Sequence, residues 1–305
     1  MISVKNITKK FPTVTALDNI SLEINEKDFF GLLGPNGAGK STLMNLLIGY
    51  QNADEGELII AGEKVTSSNL ESRKKIGLVP QSIALYDDIS ALENLEIFGS
   101  FYGIKKNLLR AIIAENLNRV GLYDRRKDKV KGFSGGMKRR LNIAASLLHD
   151  PEILLCDEPT VGVDPQSRNA IFDYLEKLNE EGKTIIYTTH YMEEAERLCN
   201  RIAIIDHGKI IAAGSLDELL LLLPYEQTIL ISKNQLTEHK KDMFSKFGTL
   251  LNDQEKYELK PNEKLKLSEF FKSMEENDIG YNFIDIHKPS LEALFLHLTG
   301  RRLRD

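Results

Sequence analysis

The chain has 305 residues, 42% hydrophobic and 28% charged, with a net charge of −5 at pH 7. That length holds one large domain, or one domain with a smaller companion, and the acidic balance excludes a global basic field that would draw the chain to nucleic acid. No apolar run approaches the roughly 18–20 residues needed to span a bilayer; the longest candidate, residues 219–223, ends at Pro224. The N-terminus, Met1-Ile-Ser-Val-Lys-Asn, lacks the charged-then-apolar form of a signal peptide. Cys156 and Cys199 make neither a disulfide framework nor a metal-ligand spacing and read as inert small hydrophobes, the first in a strand and the second in a helix. These features predict a cytosolic, reduced protein; work at a membrane would require other chains to do the spanning.

Residues 2–5 and 21–24 alternate apolar and polar and read as short strands of a half-solvated sheet. Residues 29–33, Phe-Phe-Gly-Leu-Leu, read as a buried strand, and residues 43–48 as a helix. Between them stands Gly34-Pro35-Asn36-Gly37-Ala38-Gly39-Lys40-Ser41-Thr42, a full G-x-x-x-x-G-K-[ST] loop in the strand–loop–helix context that the motif requires. The glycines let the backbone wrap a polyphosphate with its N–H groups inward, and the following helix aims its positive end at the same anion. Lys40 can reach the β- and γ-phosphates, and the Ser41 hydroxyl can hold Mg²⁺.

Residues 56–62 and 76–79 read as further strands, the second ending at Pro80-Gln81. From about 85 to 150 the chain turns mainly helical, with a capping box at Ser90-Ala-Leu-Glu93. Basic residues scattered over this region, among them Lys105, Arg110, Arg125 and Lys138 to Arg140, read as a solvated face, with docking of a protein or lipid headgroups as the alternative. Phe133-Ser134-Gly135-Gly136-Met137 precedes a helix over 138–148. A serine and two glycines at a helix start either cap it or form a second anion-binding end. One phosphate chain does not need two cradles from one subunit, so the economical arrangement is a head-to-tail sandwich in which each subunit caps its partner's nucleotide.

Residues 153–156 make an apolar strand that ends in Asp157 and Glu158. Such an edge is the usual ligand crevice of an open α/β sheet. Asp157 can bind Mg²⁺ directly or through water, and Glu158 can polarise a water for attack on a γ-phosphate. A helix over 167–181 and strands at 184–188 and 201–205 complete a largely parallel α/β sheet. Residues 206–209 turn into an antiparallel hairpin, and Ser215-Leu-Asp-Glu218 caps a last helix. Pro224 marks a boundary. Beyond it the pattern reads strand 227–232, helix 236–246, strand 255–260, helix 267–277, strand 281–287 and helix 290–299, the last with Leu291, Leu294, Phe295 and Leu298 on one stripe. The expected domains are therefore 1–223, with a helical part at about 85–150, and a small α+β accessory domain at 224–305.

Taken together, the motifs resemble those of the nucleotide-binding subunit of an ATP-binding cassette (ABC) transporter. Gly34 to Thr42 resembles the Walker A loop, Phe133 to Met137 the family signature, and residues 153–158 the Walker B strand with its catalytic glutamate, Glu158. Gln81 is similar to the glutamine that senses Mg²⁺ and the transmembrane partner. Gly162-Val-Asp164 is similar to the D-loop, His190 to the switch histidine at the γ-phosphate, and Phe11 to the aromatic that stacks on adenine. The resemblance covers residues 1 to about 220. It implies an ABC-type P-loop ATPase fold, with a mainly parallel core, an antiparallel β subdomain and a helical subdomain. It also implies ATP and Mg²⁺ (on Ser41, Gln81 and Asp157) as ligands and no other metal, a second ATP-binding subunit as homodimer or heterodimer partner, a separate transmembrane permease and no nucleic acid. The expected place is the cytoplasmic face of the membrane. Three positions depart from the common pattern: Met137 stands where many members have Gln, Phe133 where many have Leu, and the base-stacking Phe11 where the family has Tyr, which keeps the π-face and loses a hydroxyl. Residues 289–300, Pro-Ser-Leu-Glu-Ala-Leu-Phe-Leu-His-Leu-Thr-Gly, resemble the tail of daunorubicin-resistance-type exporter ATPases of ABC-2 systems, which implies export of a drug, antibiotic or lipid-linked molecule. An importer's ATPase and a soluble ABC-type switch are the alternatives.

Overall fold

Two features of the sequence, apolar strands buried on both faces and short strands that alternate, build two different sheets in the first part of the chain. The structure, a computed structural model, describes residues 2–225, 227–252, 255–262 and 265–300. In chain order the first part holds β1 (Ile2–Phe11), β2 (Val14–Ile24), β3 (Phe29–Leu33), α1 (Lys40–Leu47), β4 (Glu55–Ile60), β5 (Glu63–Lys64), α2 (Leu70–Lys74), β6 (Ile76–Val79), α3 (Ala91–Phe101), α4 (Lys106–Arg119), α5 (Gly135–Ser146), β7 (Ile153–Asp157), α6 (Pro165–Glu180), β8 (Thr184–Thr189), α7 (Met192–Leu198), β9 (Arg201–Asp206) and β10 (Lys209–Gly214).

The alternating strands pair antiparallel in the order β2-β1-β4-β5. β1 and β2 are longer than the short strands expected, because bulges let them twist without parting. The second sheet runs β10-β9-β3-β8-β7-β6, all parallel except β10, which closes it as the expected hairpin. Every residue of β3 and β8 is buried, as befits strands covered by helices on both faces. The core draws Ile2, Ile7 and Leu17 from the first sheet, Leu32, Leu155 and Ile205 from the second, and Leu43, Met44, Leu46 and Leu47 of α1.

α3, α4 and α5 pack on one another around Leu95, Leu109, Ile113, Leu117 and Leu141. The Ser90 capping box forms: its N–H donates to Glu93 Oε2 at 2.8 Å, and the Glu93 N–H donates back to Ser90 Oγ at 3.2 Å. The basic residues of this region are largely exposed, with one exception. Arg139 is 4% exposed; it falls on the same face of α5 as the apolar residues and turns inward.

The chain parts into two units between Ser215 and Leu216. The sequence placed the boundary at Pro224; the helix α8 (Leu216–Leu220), expected as the last of the first part, packs instead against α12 (Leu291–Thr299) in the second unit. That unit also holds β11 (Thr228–Ser232), α9 (Gln235–His239), α10 (Lys241–Phe244), β12 (Gly248–Asn252), β13 (Lys256–Pro261), α11 (Leu267–Glu275) and β14 (Ile284–His287). Its sheet is antiparallel, in the order β12-β13-β11-β14, over a core of Ile229, Ile231, Leu259, Phe244, Phe270 and Met274. The single helix expected over 236–246 is two, broken at Lys240, and β12 has no counterpart in the sequence reading: Gly248-Thr-Leu-Leu lacks alternation and is a strand only because β13 pairs with it. Leu298, assigned to the apolar stripe of the last helix, is 38% exposed, while Leu291, Leu294 and Phe295 are buried. Cys199 is not inside a helix but follows α7 with extended dihedrals. Both cysteines are free and buried, and burial pushes their thiols up, so they stay protonated and unreactive.

Candidate functional site

Parallel strands deliver their C-terminal ends to one edge of the sheet, and neighbouring strands deliver them side by side. β3 runs into Gly34, β7 ends at Asp157, β8 ends at Thr189, and β6 leads through Pro80 to Gln81. Register sets the depth: Leu33 pairs with Thr189, Asp157 with Thr188, and Cys156 with Val79. Residues from four separate stretches of chain therefore meet on one line.

At its centre is Glu158, 6% exposed. Its Oε1 lies 3.2 Å from Lys40 Nζ and 3.3 Å from His190 Nδ1, and its Oε2 accepts from Gln81 Nε2 at 3.1 Å. The His190 contact is a close approach and not an aligned hydrogen bond, since Nδ1 has no partner by hydrogen-bond geometry. Glu158 stands at φ 44°, in the left-handed region that side chains rarely adopt. Its N–H is held from below by Thr188 O at 3.2 Å and Thr188 Oγ1 at 3.0 Å. The same Thr188 hydroxyl donates to Asp157 Oδ1 at 2.7 Å. Thr188 thus holds the Asp157 carboxylate and the Glu158 backbone, a role that the sequence did not assign to it.

Lys40 Nζ also donates to Gly34 O at 2.8 Å and Pro35 O at 3.2 Å, so the loop folds around its own lysine. Gly39 has φ 115°, and a Cβ there would stand 2.6 Å from Ala16 O; only glycine lets the loop turn into α1 at this point. A cleft of 510 Å³ opens beside these groups, lined by Phe11, Asn36, Gly37, Lys40, Ser41, Thr42, Gln81 and Glu158, with Val14, Ala16 and Gly39 completing the wall. Phe11 is 38% exposed and offers its ring to the cleft, with Lys9 Nζ 5.8 Å from its centroid.

Gln81 is fixed from behind. The Arg139 guanidinium donates to Pro80 O and Gln81 O, both at 2.6 Å, and burial holds its pKa below the usual arginine value. An arginine on the apolar side of a helix was the visible trace of this role in the sequence, but its target lies 58 residues away.

Ser134, Gly135, Gly136 and Asp164 do not line this cleft. They gather at a second surface, where α5 and α6 begin. Ser134 caps α5, its Oγ accepting from Met137 N–H at 3.3 Å, and Asp164 caps α6, accepting from Ser167 N–H at 2.9 Å. That backbone donor holds the Asp164 carboxyl below its ordinary pKa. The two unusual residues of this motif share one neighbour: the Arg125 guanidinium lies 5.2 Å from the Phe133 ring centroid, and Arg125 Nη1 is 3.5 Å from Met137 Sδ. A Cβ on Gly136 would stand 2.3 Å from Ser167 Cβ. Gly136→Ala is expected to cost about 1–3 kcal/mol through overpacking, read as a lower urea midpoint with an unchanged slope.

The chain is similar to several known proteins. The sequence profile of the family described as ABC transporter matches residues 17–161. The linearmycin resistance ATP-binding protein LnrL of Bacillus subtilis is 42% identical over 100% of both chains. Nod factor export ATP-binding protein I of Ralstonia nicotianae is 35% identical over 100% of this chain and 95% of its own. Among solved structures, the dimeric bacterial ABC transporter cassette MJ0796 matches at 33% identity with a TM-score of 0.65, covering 71% of this chain and 99% of that one; a second structure of that cassette captures a post-hydrolysis state bound to ADP and phosphate.

Proposed function

The chain belongs to the ABC transporter family, as an ATP-binding cassette protein with ATPase activity, and from this we propose how it hydrolyses ATP and what that hydrolysis drives. It is the ATP-hydrolysing subunit of a membrane exporter. Relatives named for linearmycin resistance and Nod factor export support export over import, and support a drug, antibiotic or lipid-linked molecule as the cargo.

One observation carries the mechanism: Glu158 is within reach of Lys40, Gln81 and His190 at once. The phosphate loop and the start of α1 bind the polyphosphate, with Lys40 against the β- and γ-phosphates. Phe11 stacks on the adenine. Glu158 orients a water and takes its proton as the water oxygen attacks the γ-phosphorus; the bond to the bridging oxygen breaks, leaving ADP and phosphate. His190, whose Nδ1 approaches Glu158 Oε1 at 3.3 Å, holds the γ-phosphate in line. Ser41, Gln81 and Asp157 would hold Mg²⁺ through oxygen atoms. Oxygen donors suit Mg²⁺, an ion that keeps waters and phosphate oxygens around it. When bound, that ion would neutralise charge on the leaving phosphates.

The second surface completes the site of a partner subunit. Ser134 to Gly136 and Asp164 lie outside the chain's own cleft, so they cap the nucleotide of a second cassette, which caps this one in return. The dimeric cassette among the similar structures supports this arrangement. ATP binding closes the pair, and hydrolysis removes the charge that bridges it. Among the described residues no helix is long and apolar enough to cross a membrane, so a separate permease carries the cargo and the cassette docks on its cytoplasmic side. The unit beyond Ser215 serves as an accessory domain.

Ser134→Arg is expected to leave nucleotide binding by the monomer intact while abolishing dimer-dependent hydrolysis; loss of monomer binding would show that the cross-subunit cap is misplaced. For the function as a whole, the tagged chain is to be purified from detergent-solubilised native membranes and its companions identified. A polytopic partner without a substrate-binding protein is the expected result. Recovery only with soluble complexes would overturn the transport reading.

A further inference from the structure

Glu194, on α7, is a buried charged group that the hydrolysis chemistry does not use. It is 4% exposed, it does not line the cleft, and its carboxylate accepts from three hydroxyls: Thr160 Oγ1 at 2.9 Å, Tyr187 Oη at 2.8 Å and Thr189 Oγ1 at 2.9 Å. The Thr160 and Tyr187 hydroxyls are themselves 3.1 Å apart. Burial and the Glu194 charge push the Tyr187 phenol well above its ordinary pKa, so it stays a donor. Arg168, at the surface, comes no closer to the carboxylate than 3.9 Å.

The origins of the three donors show what the carboxylate holds together. Thr160 stands two residues after Glu158 and four before Asp164. Thr189 immediately precedes His190, and its hydroxyl also accepts from Tyr191 N–H at 2.9 Å, bracketing the histidine. Tyr187 comes from the interior of β8. One side chain therefore ties the loop that runs from Glu158 to Asp164 to the strand end that presents His190. From the Asp164 side, Arg168 N–H donates to Asp164 O at 2.8 Å, and its guanidinium lies 5.6 Å from the Tyr191 ring centroid.

We propose that Glu194 is a positioning residue: it locks Thr160 to Thr189, so that displacement of the 162–164 loop by a partner subunit moves His190 with it. The proposal rests on the roles given above to His190 and Asp164. Its physical basis is that a buried carboxylate with donors at this spacing has no slack. If Thr160 moves without Thr189, a buried polar group loses its partner with no water to replace it, and this costs more than moving both segments as one body.

The test uses the full chain, with steady-state ATP hydrolysis and nucleotide affinity measured on the folded fraction. Thr189→Val exchanges the hydroxyl for a methyl at nearly constant volume, and Thr189→Ser keeps the hydroxyl. Thr189→Val is expected to lower kcat about tenfold, the order of one hydrogen bond to a charged group, with KM changed by less than about twofold. Thr189→Ser is expected to retain the parent kcat. Glu194→Gln should follow Thr189→Val, and if it does not fold the threonine pair still decides. Parent-like turnover in Thr189→Val, equal impairment in Thr189→Ser, or a matching rise in KM each overturns the proposal. His190→Ala separates this inference from the reading beneath it. If His190→Ala turns over like the parent, the site assignment itself is wrong; if it is inactive while Thr189→Val is normal, the Glu194 link alone is wrong.

Discussion

Glu158→Gln is expected to reduce kcat by about 10²–10⁴-fold, the range lost with a positioned general base, while ATP still binds. The amide keeps the shape of the side chain, but it cannot take a proton and it removes the negative charge 3.2 Å from Lys40 and 3.3 Å from His190. Binding survives because the cradle is made by the loop of residues 34–42, which the substitution leaves in place. With turnover blocked and the nucleotide retained, a closed dimer should accumulate in ATP, visible as a shift in size-exclusion elution that ADP does not produce. Turnover equal to the parent's would show that another group orients the water.

Lys40→Ala should fail one step earlier. Lys40 offers a charged donor where the phosphates bind, and loss of one or two charge-assisted hydrogen bonds weakens nucleotide affinity by about 10–100-fold. It also leaves Glu158, with 7% of its side chain exposed, without its cation. Breaking a buried ion pair by removing one partner costs about 3–5 kcal/mol; the low end is expected here because Gln81 and His190 still face the carboxylate. Equilibrium binding of a fluorescent ATP analogue and denaturant unfolding separate the two losses. Unchanged affinity would remove Lys40 from the phosphate site. The two variants thus divide the cycle, one binding without turning over and the other failing to bind.

The residues of this site differ in how visible they were before folding, and the difference follows sequence distance. The phosphate loop is local: nine successive residues carry the turn, the lysine and the helix start, so spacing alone identifies it. Asp157 and Glu158 are nearly as plain, as two carboxylates ending an apolar strand. His190 and Gln81 carry little by themselves and became candidates through family resemblance. Arg139, Thr188 and Glu194 were not identified, though each is a polar residue at a position where the surrounding period calls for an apolar one. Reading them requires the partner, and the partners of Arg139 lie nearly 60 residues away. Burial shows that each of these exceptions has a partner to meet.

By itself, the sequence determined what depends on neighbours along the chain: the anion-binding loop, the alternation of buried strands with helices that makes a parallel sheet, the Ser90 cap, and the presence of a second α+β unit. The tertiary structure alone decided what depends on strand order and register. It placed β6, β7, β8 and β3 side by side, which brings Gln81, Glu158, His190 and Lys40 within hydrogen-bonding reach. It moved α8 to the second unit, made a strand of residues 248–252, and kept Ser134 to Gly136 away from the chain's own cleft. The physical reason is that the periods of helix and strand are set by local backbone geometry, whereas pairing partners are chosen by apolar surface and hydrogen bonds contributed from elsewhere in the chain.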